Sequence, residues 1–290
     1  KFKPGDKIDF RVETSNQGKV LQPLVSEDTK LSIQSALLGT ANALESPRLM
    51  SLLYRPEQPS VLSQLFKPAS LDALFSQALA DATGLKIQQL FFSISSISPQ
   101  MIRSALINSG LFSEYFISNQ LPPKLDLKQL LRSLMRTGIL QNTESILIEK
   151  AIDEIESRQL EGVQAQQNRE ISYQFVIPFY DSEPVEVHFE RGAGNFEKGE
   201  TDWVINLHTE SVGLGEIWAK TTIKATSDIE MIIWTREENA AVAVNQGRVE
   251  LEKSFDRFQL NLTKFSVLHA ERPAIDPSLT GPGQVLDVST

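Results

Sequence analysis

Three histidines, His188, His208 and His269, and no cysteine bound the chemistry open to this chain. Without thiols there is no disulfide, no thiolate nucleophile and no thiolate metal site. Glu186, His188 and Glu190 alternate through EPVEVHFER and so share one strand face, the spacing from which a metal or acid–base site could be imagined. Residues two apart on a strand stand about 6.6 Å apart, and a polar outer face is the default for an alternating strand. The stretches RGAGNFE and GLGEIWA each hold G-x-G without the third glycine, and neither joins a buried strand to a helix, which excludes a dinucleotide loop. No serine lies in a G-x-S-x-G context. The expectation is a protein that is not an enzyme and takes no metal or cofactor. A deep polar cavity with converging ionisable groups in the C-terminal part would contradict it.

What must position these residues is a sheet. DWVINLHTE places Trp203, Ile205 and Leu207 on one face, and EIWAKTTIK does the same with Ile217, Ala219, Thr221 and Ile223. Ile229, Met231 and Ile233 make a third run. Val244, Leu251, Phe255 and Phe258 then recur at helical intervals, predicting one amphipathic helix, and Phe265 and Val267 return to a strand. Ahead of these, ISYQFVIPF and EPVEVHFER predict two more strands, with Pro178 marking an edge strand or a strand end.

The N-terminal part reads differently. Ile8, Phe10 and Val12 alternate before a polar Ser15-to-Gly18 turn and a second apolar run at Val20 and Leu21, predicting a β-hairpin or the remnant of a small barrel over residues 1–26. Residues 27–166 carry helical stripes. Ser70 is a candidate N-cap for Leu71, Leu74, Phe75 and Leu79, with Gly84 as the stop; Ser98-Pro99 starts a helix carrying Ile102, Ala105, Leu106, Phe112 and Phe116. Asp126 caps the next helix, which stops at Gly138, and the last runs from about Thr143 past Leu160. The polar stretch Gln164–Arg169 is the expected linker to a C-terminal domain at 167–272, followed by a flexible tail at 273–290. The fold class expected is α+β: a hairpin, a helical domain, and a sheet packed by one amphipathic helix.

With 290 residues, a net charge of −9 and a pI near 5.0, the chain is long enough for two cores and lacks the basic footprint that nucleic acid or an anionic membrane requires. No window approaches the roughly 20 apolar residues of a membrane span, so no direct insertion is expected. The start at Lys1 is read as that of a fragment.

IRSALINSGLFSEYFISNQLPPKLDLKQLLR, residues 102–132, contains an SGLF-x-E stretch at Ser109, Gly110, Leu111, Phe112 and Glu114, then DLK-x-x-L at Asp126, Leu127, Lys128 and Leu131. This resembles the bacterial flagellar hook-length control family. Gln159-Leu160 is similar to that family's QL pair, and Ile177 to Phe179 to the proline-containing strand that follows it. INLHTESVGLGEIWAKTTI resembles the family's apolar strand, LG turn and second strand, with a closing helix and strand behind. The resemblance spans about residues 100–270. It implies a protein cytoplasmic before export through the flagellar type III apparatus, whose C-terminal domain meets the cytoplasmic part of the membrane-embedded export gate and switches export from hook to filament substrates. Hook or hook-cap proteins are further partners it implies. The absence of cysteine suits a chain exported unfolded and equally a chain that lacks it by chance. The family's N-terminal export signal and its long Pro/Gln-rich ruler have no counterpart here; a mostly helical stretch stands in the ruler's place.

The contact surface expected for that partner, or the core that supports it, is Leu214, Gly215, Ile217, Trp218, Leu251 and Phe255. Trp218 points opposite to Ile217 and Ala219, as a contact anchor or as packing within the domain. An adaptor of the same fold without a flagellar role, and more remotely a metal-dependent enzyme, are the alternative readings.

Overall fold

A computed structural model describes residues 10–15, 18–23, 52, 59–68, 70, 89–120, 126–138, 140, 142–192, 202–224 and 227–273, with backbone alone for 10–15 and 18–23. Strands β1 (Phe10–Ser15) and β2 (Gly18–Pro23) pair antiparallel from Phe10 opposite Pro23 to Ser15 opposite Gly18, the hairpin expected from their alternation. This hairpin belongs to one compact unit, residues 1–51; residues 52–290 form a second. The helix expected after Ser70 and its stop at Gly84 lie outside the described residues, as do the 27–51 stripe and the 274–290 tail.

In the second unit the described helices ahead of the sheet are α1 (Val61–Leu65), α2 (Pro99–Asn108), α3 (Ser113–Ser118), α4 (Leu127–Thr137) and α5 (Asn142–Gln167). Their ends follow from local chemistry. Ser98 Oγ accepts the Met101 N–H with Pro99 in the first turn, Asp126 accepts the Gln129 N–H, and Gly138 takes a left-handed φ of 68° at the end of α4. The single helix expected from Ile102 to Phe116 is two, because the chain turns at Gly110, whose φ is 95°. The expected linker at Gln164–Arg169 is not one. It is the last turn of α5 and a tight turn whose N–H groups bond back to Gln164, Ala165 and Gln166, so the helical part and the sheet share one body.

The sheet has the order β3 (Ile171–Ile177), β4 (Val185–Arg191), β5 (Trp203–Ser211), β6 (Gly215–Ile223), β7 (Asp228–Thr235) and β8 (Asn261–His269). The first five form an antiparallel meander; β8 runs parallel to β7, which demands a crossover. Helices α6 (Glu238–Gln246) and α7 (Arg248–Asp256) supply it. The amphipathic stretch expected as one helix is thus interrupted at Gly247, a poor helix former. Phe258 falls beyond its end at 67% exposure. The fold class is α+β, as the sequence indicated.

Helices cover both faces of β3. Phe175, Ile177 and Phe179 pack with Val187 against Met101 and Ala105 of α2, while Val176 points the other way into a core of α1, α4 and α5 residues such as Leu65, Leu131, Ile148 and Ile155. Alternation therefore gives way to a continuous buried run at the end of this strand. Pro178 follows directly, and β3 is also an edge strand, which satisfies both positions expected of that proline.

Candidate functional site

The motif fragments that are separate in sequence interlock in space. Lys128 is 2% exposed, and its Nζ donates to Glu114 Oε1 at 2.5 Å and to Gln159 Oε1 at 2.8 Å, with Glu156 Oε1 at 3.4 Å. Gln159 Nε2 in turn donates to the carbonyls of Gly110, at 2.8 Å, and Leu111, at 3.2 Å. Asp126 accepts Ser113 Oγ at 2.8 Å besides capping α4. Burial alone would raise the Glu114 carboxyl, but the Lys128 ammonium beside it carries it below the ordinary value; for Asp126, burial wins over its hydrogen bonds and holds the carboxyl above. A Cβ on Gly110 would stand 2.8 Å from Lys128 Cβ and 3.0 Å from its backbone N, so a side chain has no room there. Ser109 Oγ donates to the Leu106 carbonyl, Leu127 is buried in the core, and Leu111 packs partly buried beneath α2. Phe112 meets Tyr173 edge to face at 5.4 Å. These residues hold α2, α3, α4 and α5 together; their chemistry is structural.

The second assembly is a cleft of about 740 Å³ between α5 and the polar face of the sheet. Strand pairing sets its floor: Glu186 lies opposite His208, and His208 opposite Trp218, which lies opposite Trp234. His208 stacks on Trp218 with ring centroids 3.7 Å apart. Its Nε2 stands 3.2 Å from Glu216 Oε1, and its Nδ1 3.3 Å from Glu186 Oε1, close enough for charge but not aligned as a hydrogen bond. Glu216 also accepts the Trp218 indole N–H at 3.1 Å and faces Arg236 at 3.2 Å. The far wall is the segment after β8, where Arg272 donates to Asn206 Oδ1 at 3.2 Å and lies 4.7 Å over the Trp218 ring. The near wall is α5 with Glu154 and Arg158. Burial would raise Glu186, yet His208, Ser63 and the Arg158 charge keep it below the ordinary value; burial pushes His188 down against the pull of Glu190, and Arg158 and Arg272 push the same way.

This cleft is a polar cavity lined by ionisable groups, the feature named above as contrary to the non-enzymatic expectation, and it leaves that expectation without support. Alternation alone predicts a solvent-facing outer surface for β4 and β5, because it cannot say what crosses over it. Glu186, His188 and Glu190 do share that face, but they diverge. His188 pairs with Glu190 at 3.4 Å and with Ser172, whereas Glu186 turns to Ser63 and His208. Among the described residues no three such groups converge as a metal site would require.

No family model, no curated protein and no solved structure matches this chain.

The six residues expected as a contact surface or its core separate. Gly215 takes a φ of 68° at the start of β6, the left-handed turn its position demands, beside half-buried Leu214. Val212, in the same hairpin tip, is 95% exposed. Ile217 is on the apolar face, and Trp218 on the opposite one, as expected, where it packs between His208 and Arg272 in the cleft instead of standing free. Leu251 and Phe255 are half-buried on α7, which has no fully buried residue. Truncation of either therefore costs less than the about 2–5 kcal/mol typical of a fully buried core side chain. Sequence reasoning missed Arg158, which sits in register with the buried stripe Ala151, Ile155, Gly162 and Ala165 of α5. A charge at a stripe position was the available signal.

Proposed function

We propose that the chain is a protein-recognition component of a flagellar type III export apparatus, of the hook-length control kind, and that its C-terminal sheet engages the cytoplasmic part of the export gate. One observation carries this reading. The SGLF-x-E, DLK and QL fragments on which the resemblance rests form one hydrogen-bonded knot around Lys128, and their meeting in one structural unit supports the reading. The order of strand, LG turn, strand, strand, helical crossover and closing strand in residues 203–269 accords with the resemblance as well. No helix among the described residues is long and apolar enough to cross a membrane, consistent with contact through a partner.

The hairpin tip, with exposed Val212 beside half-buried Leu214, is the surface this reading assigns to the partner. The test is a binding measurement between the full chain and the cytoplasmic domain of the export gate. A saturable complex weakened by substitution at the tip supports the reading; no complex between two folded partners refutes it. In a motile host, removal of residues 202–269 is expected to give overlong hooks without filaments.

A further inference from the structure

Two buried polar atoms of the cleft beside α5 have no hydrogen-bond partner: His208 Nδ1, which stands 3.3 Å from Glu186, and Arg158 Nη1. Arg158 is 6% exposed and directs its Nη2 at Glu154 and Ser60, which leaves Nη1 as a buried donor aimed at nothing. Nearby carboxylates are already engaged. Glu154 accepts Ser60 Oγ and the N–H groups of Val61 and Leu62; Glu186 accepts Ser63 Oγ; Glu216 accepts the Trp218 indole and faces Arg236, which also holds Glu271. The unmet demand at Arg158 is for an acceptor, because a buried donor left unpaired forfeits the hydrogen bond it made in water. A cation entering here would compete for carboxylates that already have partners.

A second guanidinium lines the same cleft. Asn206 is the cross-strand neighbour of His188, and Arg272 is fixed over it by its hydrogen bond to Asn206. Arg158 enters from α5, the helix packed on β3, and lines the same cleft as His188 and Arg272. We propose that the cleft binds a carboxylate, taken between Arg158 Nη1 and the Arg272 guanidinium above His188. Planar carboxylate suits two guanidinium groups presented from opposite walls. The volume of about 740 Å³ admits either a free dicarboxylic acid or an acidic side chain of a polypeptide. It lies in the range of small-ligand sites. The carboxylate site does not depend on the export proposal.

The test titrates the full chain, in chloride buffer, with succinate and with the capped pentapeptide Gly-Gly-Asp-Gly-Gly and its Asn counterpart. Binding is followed through the arginine side-chain N–H and tryptophan indole NMR signals. Saturable shifts of Arg158, Arg272 and Trp218 are expected with a carboxylate probe and not with the Asn peptide. Response to succinate alone assigns a free acid, and response to the Asp peptide assigns a polypeptide side chain. Arg272→Gln lies on a peripheral segment and is expected to fold normally and weaken binding about tenfold or more, the value of one charge-assisted hydrogen bond. Arg158→Gln is expected to abolish binding; should it fail to fold, Arg272→Gln and the wild-type titration decide the matter alone. No saturable shift at millimolar succinate and Asp peptide overturns the proposal. So does an equal response to the Asp and Asn peptides, or unchanged affinity in Arg272→Gln.

Discussion

Gly110→Ala tests whether the knot around Lys128 is as close as the geometry says, and Gly138→Ala is its internal control. Both glycines hold positive φ, 95° and 68°. Both alanines therefore incur the left-handed backbone cost of about 1–2 kcal/mol. They differ in space. At Gly138 nothing lies within 4 Å of the added methyl, whereas at Gly110 it meets Lys128 Cβ at 2.8 Å and Lys128 N at 3.0 Å. Those atoms belong to the first turn of α4 and cannot swing away as a side-chain tip can, so overpacking adds about 1–3 kcal/mol. Gly110→Ala is therefore expected to cost about 2–5 kcal/mol in all, against about 1–2 kcal/mol for Gly138→Ala. Urea unfolding of the full chain followed by far-UV circular dichroism measures both, with the midpoint shift at constant slope as the readout. Equal shifts in the two variants would refute the close approach, and with it the view that SGLF-x-E is defined by what Gly110 allows Lys128 to do.

Three further outcomes follow from the same structure. Lys128→Met removes the buried end of the pair with Glu114 while keeping much of the volume, and leaves a Glu114 side chain that is 57% exposed and can be hydrated. The expected loss is about 1.5–3 kcal/mol by the same unfolding assay, short of that for a fully buried pair. Stability is expected to fall on acidification from neutral pH: His188, held neutral below its ordinary 6.5, opposes protonation first, and Glu186 and Glu114, held below 4.5, lose their contribution as pH drops through their folded values. Asp126, held above 3.8, acts with the opposite sign, and Lys128→Met is expected to flatten the acid limb by removing the Glu114 part, as unfolding at a series of pH values would record. Val212→Asp at the exposed hairpin tip is expected to leave stability within about 0.5 kcal/mol of wild type yet weaken partner binding, an outcome that separates surface recognition from folding.

The strands were legible because period two survives wherever one face is buried, and β5, β6, β7 and β8 fall where Trp203 to Leu207, Ile217 to Ile223, Ile229 to Ile233 and Phe265 to Val267 put them. Helix ends at Ser98, Asp126 and Gly138 were legible for the same reason: each has a local cause in one side chain or one φ. What failed is non-local. The break at Gly110 exists because Lys128 must approach its Cα, and the absence of a linker at Gln164–Arg169 reflects packing of α5 on β3; neither is written in the segment itself. The cleft was hidden by the same limit. His208 and Glu216 were visible as polar residues on strands, but Arg158 and Arg272 arrive from distant chain segments, one well before β5 and the other beyond β8.

That arrangement bears on how the two assemblies relate. Helix α5 supplies Gln159 to the knot and Arg158, the next residue back, to the cleft. Adjacent side chains thus diverge to opposite tasks, about 100° apart on one helix. Ile155 and Ile148 anchor the helix in the core between them. The knot fixes the rotation of α5 about its own axis through Gln159, which bonds two backbone carbonyls of the Gly110 turn. Rotation by one residue would break the Gln159 bonds to the Gly110 turn and carry Arg158, together with its helix neighbour Glu154, away from Ser60 and from the cleft. A variant that loosens the knot is therefore expected to disorder the Arg158 contact before it unfolds the sheet. In Lys128→Met this would appear as broadened Arg158 side-chain signals while the Trp203 and Trp234 signals of the sheet keep their positions. Unaltered Arg158 signals in that variant would mean that the cleft is held by the sheet alone.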